Sequence, residues 1–226
     1  PMQSMPNYAQ TVPASQAALP ERMAFLRKVY GLLAISILLA GAASWMTLNN
    51  AAFYNAVVGN YLLFIIAQFA SIFFVFMVRK KETLGLVALY TFTIITGLTT
   101  APVLLRYELT TVTNAAFLTG LTFVGLSFYT IRSKKDFSFM GGMLTVGLFI
   151  MIIGGLLNFF IFQSTAISFL YSAAGVFIFS GFIIYDTFNI LNRYPTDEYI
   201  SATLSLYLDI LNLFLMLLHL LGGSRD

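Results

Sequence analysis

The sequence predicts an all-α membrane protein, a seven-transmembrane-helix bundle. Three observations carry that prediction. Of the 226 residues, 59% are hydrophobic and only 9% are charged, whereas about a quarter of an ordinary water-soluble domain is charged. No Asp, Glu, Lys or Arg occurs between Val29 and Val78. Apolar runs of about 20 residues recur after that stretch, each long enough to cross about 30 Å of hydrocarbon.

The elements follow in order. Residues 1–22, PMQSMPNYAQTVPASQAALPER, lack the basic-then-apolar order of a cleaved signal peptide. Their Pro, Gln, Ser and Ala content reads as a short disordered cytoplasmic tail. Pro1 in place of Met reads as a processed end, and the first apolar helix as an uncleaved insertion signal. Residues 23–226 then form one domain, with spans at about 29 to 48, 61 to 78, 84 to 105, 111 to 131, 138 to 160, 166 to 188 and 201 to 221. The breaks are LNNAAFYN, RKKE, LRYELT, RSKKD, QST and NRYPTDE. Such short connections make neighbouring helices antiparallel and leave no room for a soluble domain.

Basic residues set the orientation. Arg22, Arg27 and Lys28 precede the first span, Arg79, Lys80 and Lys81 follow the second, Arg132, Lys134 and Lys135 follow the fourth, and Arg193 follows the sixth. All fall on one side, with only Arg106 and Arg225 on the other. The N-terminus is therefore expected in the cytoplasm and the C-terminus outside, unless the seventh segment is re-entrant. This placement also accounts for the pI of 9.2 without a nucleic-acid partner. Small residues at 40–44 (AGAAS), 141–142, 154–155 and 172–175 (SAAG) mark close helix approaches. TGLTTAP, from Thr96 to Pro102, is the expected kink.

The chain has no cysteine and one histidine, His219, which excludes disulfides, thiol catalysis and His-rich metal sites. Two acids remain inside the apolar segments. Asp209 is costly in a spanning helix unless it faces protein or water. It lies on a stripe with Ser201, Ser205, Asn212, Met216 and His219 at helical spacing. Asp186, with Asn189 three residues on, ends the sixth span near the negative end of the helix dipole. The NRYPTDE hairpin brings the two acids into the same half of the membrane. Two carboxylates brought close there cannot both ionise freely, so they share a proton or recruit a cation. Oxygen ligands from Asp and Asn suit Ca²⁺, although two carboxylates alone are too few for a tight site.

An enzyme is not expected. Tyr185-Asp186 supplies half of an intramembrane aspartyl-protease signature, but LYL precedes Asp209 where GxGD needs GxG, and the last span has no PAL motif. Ser180-Gly181 and His219 match a serine protease poorly. No cofactor is expected other than Ca²⁺ as a candidate ion, and the expected partners are the lipid bilayer, calcium ions and a membrane protein, with no nucleic acid.

KKDFSFMGGML at 134–144, SGFIIYDTFNI at 180–190 and SLYLDILNLFLMLLHLLG at 205–222 resemble the transmembrane Bax-inhibitor-motif family, which includes bacterial calcium-leak proteins. The resemblance runs over roughly residues 20–222. It implies a central last helix surrounded by the other six. It also implies that Asp186 and Asp209 form a hydrogen-bonded dyad that senses pH and gates a cation leak, chiefly of Ca²⁺. Arg79 matches the basic residue that latches the dyad when closed. Where some relatives carry an acid–arginine pair, this chain has Gln68 and His219, for which a neutral hydrogen bond is the expected substitute. The implied location is a bacterial inner membrane. The alternative function is a non-conducting regulator of stress or cell-death responses, or of a membrane-bound protease, acting through a membrane-protein partner.

Overall fold

The structure, a computed structural model, describes residues 12–223. Its elements are α1 (Leu19–Asn49), α2 (Ala51–Gly59), α3 (Tyr61–Val78), α4 (Glu82–Leu104), α5 (Leu109–Arg132), α6 (Met140–Leu157), a π-turn (Asn158–Phe162), α7 (Thr165–Asn192) and α8 (Tyr199–Gly222). All but α2 and the π-turn are long and apolar enough to cross a membrane. The outward faces of α3 and α6 expose Met77, Phe73, Phe149 and Ile153, surface that only lipid covers at low cost. This is a multi-pass membrane protein.

Each of the seven expected spans has its helix, with two additions. Helix α1 begins at Leu19, inside the expected tail, because Pro20 fits the first turn and Glu21 faces the positive helix end. Helix α2 occupies the first break and is started by Asn50, whose side chain accepts from Phe53 N at 3.0 Å. The tail differs from expectation as well. Residues 1–11 lie outside the described residues, but Ala14 is fully buried, and Pro13 forms an isolated antiparallel bridge with Pro195. Ala14 N donates to Tyr194 O at 2.9 Å, and Ser15 Oγ to Asn192 O at 2.8 Å. A small apolar side chain and an open backbone edge on the α7–α8 loop make this docking possible.

Helix α8 is the hub. It packs against α1, α4, α5 and α7, whereas α3 packs mainly on α4, and α6 on α7. Four helices rather than six therefore form its main surround, with α3 and α6 as an outer layer. Two of the small-residue expectations show their purpose directly. A Cβ on Gly97 would fall on the Ala40 carbonyl and within 2.8 Å of Ala43 Cβ, so α1 and α4 cross backbone to backbone at AGAAS. One on Gly175 would meet the Met216 side chain of α8. Helix α4 runs through Pro102 as one element. Nearby carbonyls are served from other helices: Ser44 Oγ donates to Gly97 O at 2.7 Å and the Tyr61 hydroxyl to Thr99 O at 3.0 Å.

Candidate functional site

The site is built by the α7–α8 hairpin. Helix α7 stops at Asn192 because Pro195 disfavours helical backbone at Tyr194. The freed carbonyl of Asn189 is taken by Arg193 N at 2.7 Å and Tyr194 N at 2.9 Å. Glu198 then precedes the first turn of α8, a position where a carboxylate meets the positive end of the helix. Two antiparallel helices joined so tightly hold Asp186 and Asp209 side by side.

The two aspartate side chains lie close enough to interact, and Asn189 is a further polar neighbour of Asp186. Asp209 is only 6% exposed. Its Oδ2 and Asn189 Oδ1 are both buried without a hydrogen-bond partner. Ionised carboxylates offer acceptors only, so a hydrogen bond between the two groups needs one of them protonated. Ser36 Oγ on α1 is also buried without a partner, whereas the buried hydroxyls of Tyr30 and Tyr207 have Thr187 and Thr96 as polar neighbours. Helices α1 and α8 are held in register by Thr203 Oγ1, which lies 3.3 Å from Val29 O. Buried polar atoms without a protein partner, such as Asp209 Oδ2 and Asn189 Oδ1, are places where water is taken up.

A polar layer closes the site toward the basic end. Tyr194 OH and Ser205 Oγ are 3.1 Å apart. Burial pushes the Tyr194 hydroxyl up, and Asp186, Glu198 and Asp209 act in the same direction, so it stays a neutral hydrogen-bonding group. Beyond it Glu198 receives Arg79 Nε at 3.6 Å and Lys80 Nζ at 3.7 Å, and Ser201 Oγ donates to it at 3.2 Å. The ion pair of Arg79 is therefore with Glu198, not with the aspartates.

The remaining expected residues are placed apart from the pair. Asn212 lies on the aspartate stripe but donates to the Leu208 carbonyl of its own helix at 2.8 Å. Gln68 accepts from Thr99 Oγ1 at 2.7 Å. His219 is exposed, sits 2.7 Å from Leu215 O and stacks edge-on with Tyr107, ring centroids 5.8 Å apart. Gln68 and His219 thus have separate partners, because α3 packs on α4 rather than on α8. Sequence reading missed Glu198, Tyr194, Tyr30 and Tyr207. The first had a visible signal, an acid just before a helix; the tyrosines had none, since an aromatic in a greasy helix reads as core.

Among the described residues, no three His, Asp or Glu side chains are gathered to hold a metal ion. Calcium takes six to eight oxygens. The orphaned oxygens of Asp209 and Asn189 fit passing contact with a hydrated cation better than permanent retention.

Comparison with known proteins places the chain. A family model described as the inhibitor of apoptosis-promoting Bax1 matches residues 22–226. The chain is similar to the "Golgi anti-apoptotic protein" of Vaccinia virus (strain Lister), 40% identical over 222 residues covering 97% of this chain and 92% of that protein. It is similar to "Bax inhibitor 1" of Schizosaccharomyces pombe, 33% identical over 222 residues covering 97% and 84%. An "uncharacterized membrane protein" of Vibrio cholerae is 38% identical over 205 residues covering 87% and 88%. With the family model matching nearly its whole length, this seven-span membrane protein belongs to the Bax inhibitor-1 family.

Proposed function

We propose that the protein is a pH-sensitive cation leak channel, chiefly for calcium, gated by the Asp186–Asp209 pair. The observation that supports it is the close approach of two carboxyl groups from adjacent helices, one of them buried with an unpartnered oxygen. A shared proton holds α7 and α8 together there. Without it the charges repel, and a cation can replace the proton. Acid therefore weakens cation binding at the pair. Other groups act on the same balance: Tyr194 from the loop, and Glu198 with its partners Arg79 and Lys80. Calcium is the cargo, no reaction is assigned to the pair, and no cofactor takes part. The basic end faces the cytoplasm, with the N-terminus on that side.

Calcium flux in proteoliposomes across a pH series tests this reading. Asp186→Asn with Asp209→Asn is expected to change both the flux and its pH dependence. If both are unchanged, the pair does not gate.

The names of the viral and yeast relatives favour a second reading, a non-conducting regulator of cell-death or stress responses acting through a membrane-protein partner. It predicts no flux in pure lipid, and recovery of that partner with the protein carrying its intact N-terminal tail.

A further inference from the structure

A cavity at the basic end, separate from the aspartate pair, gathers three cations against one acid. It has a volume of about 350 Å³ and lies between the start of α1, the α5–α6 loop and the last turns of α7. Arg22 enters from α1, and Lys134 and Lys135 from the loop. None of the three has an ion-pair partner among the described residues. Of the acids nearby, Asp136 itself lines the cavity and offsets one of the three cations, leaving a net positive charge. Asp136 accepts from Ser138 N at 2.8 Å, and Glu21 Oε1 accepts from Thr196 Oγ1 at 2.6 Å.

Retention of a loop in the cytoplasm requires only basic residues near the membrane. It requires neither a concave site nor a half-buried Arg22 brought to it from another helix. One apolar side chain stands exposed among the polar lining residues: Ile131, which is 54% exposed. Phe188 lines the inner wall.

We propose that this cavity binds the phosphate of an anionic membrane lipid. Arginine and lysine are the usual phosphate ligands, and basic pockets between transmembrane helices bind lipid headgroups. A phosphate carried on acyl chains satisfies the cations and covers the exposed Ile131 together; free phosphate satisfies only the cations. Because Phe188 and Asn192 line the cavity on α7, an occupant bridges α1 and the α5–α6 loop to the helix that carries Asp186.

A single fluorescent reporter tests the proposal without reference to ion flux. Trp45, the only tryptophan, lies near the far end of α1. Trp45→Phe with Ile131→Trp moves the reporter to the cavity rim. In bilayers of phosphatidylcholine and phosphatidylglycerol, with one lipid brominated at a time, quenching reads which lipid occupies the rim. Each basic residue near a membrane surface favours an anionic lipid by roughly fivefold. The reporter protein is therefore expected to prefer phosphatidylglycerol by about fivefold or more, and Lys134→Gln with Lys135→Gln to bring the ratio close to one. Equal quenching by both lipids overturns the proposal, as does a preference that survives the double substitution. Inorganic phosphate at matched ionic strength separates the two sources. A retained preference supports the lipid, and its complete loss shows a free-anion site instead.

Discussion

Arg79→Gln is expected to loosen the basic end by uncoupling α3 from the start of α8. The Arg79 and Glu198 side chains are 35% and 16% exposed, with 3.6 Å between Nε and Oε2. At that distance two unit charges attract by about 5 kcal/mol at an effective dielectric of 20, and by about 1 kcal/mol in water. Exposed pairs return about 0.2–1 kcal/mol once side-chain ordering is counted. A guanidinium one-third exposed belongs near the top of that range, so a coupling of about 1 kcal/mol is expected. Lys80 stays on Glu198 at 3.7 Å, which limits the loss in Arg79→Gln. Glu198→Gln loses both cations and the helix-end carboxylate, for a total of about 2 kcal/mol. At about 2–4 °C per kcal/mol for a chain of this size, Tm in detergent should fall by about 2–4 °C and 4–8 °C respectively. The double variant should fall by less than the sum, and high salt should shrink the coupling. Strictly additive losses would refute the pairing. A second cycle that couples Arg79 to Asp209 instead would return Arg79 to the role implied by the family resemblance.

Three further outcomes are expected. Gly97→Leu should lower Tm sharply, since overpacking costs about 1–3 kcal/mol, and Ala43→Gly should rescue little, because the Ala40 carbonyl remains in the way. Full rescue would mean that the α1–α4 crossing is set by side chains. Ala14→Asp puts a carboxylate at a position 0% exposed and should release residues 12–17 to protease while Tm of the bundle changes little. Unchanged cleavage in that segment would show that the docking contributes nothing. The chain has no cysteine, so Lys81→Cys and Gln163→Cys each provide a clean label. In intact cells an impermeant maleimide should reach position 163 at once and position 81 only after permeabilisation; the reverse pattern would invert the bundle.

The spans were legible because a bilayer admits few alternatives: about 20 apolar residues without charge read as a crossing, and QST and NRYPTDE marked turns that the structure contains. The proximity of Asp186 and Asp209 was legible because only a six-residue loop separates α7 from α8. Partner choice was not. Arg79 has two kinds of acid within the same end of the bundle, and its preference for Glu198 depends on where α8 begins. The separation of Gln68 from His219 follows from α3 lying outside α4, a packing order that helix periodicity does not encode. The start of α1 was missed despite LPER, since a Pro- and Ala-rich tail and a helix first turn share that composition.

The contacts of the α7–α8 loop bear on how the aspartate pair can separate. Three neighbours hold this short connection: the Ala14 and Ser15 segment on Tyr194 and Asn192, Glu21 on Thr196, and the end of α3 on Glu198. Most of these are single hydrogen bonds or partly exposed ion pairs, each worth about 1 kcal/mol or less. Deeper along the hairpin, Ser205 meets Tyr194 and Met216 fills the space beside Gly175. A rigid shift of α8 away from α7 would have to break the loop contacts and the packing together. A rotation or short slide confined to the turns around Asp186 and Asp209 would leave both in place. If the pair gates as proposed, these contacts favour a local rearrangement at the pair over a hinge at the loop. Cross-linking the loop to residue 15 should then leave the response of the pair largely intact, whereas cross-linking α7 to α8 beside Asp209 should abolish it.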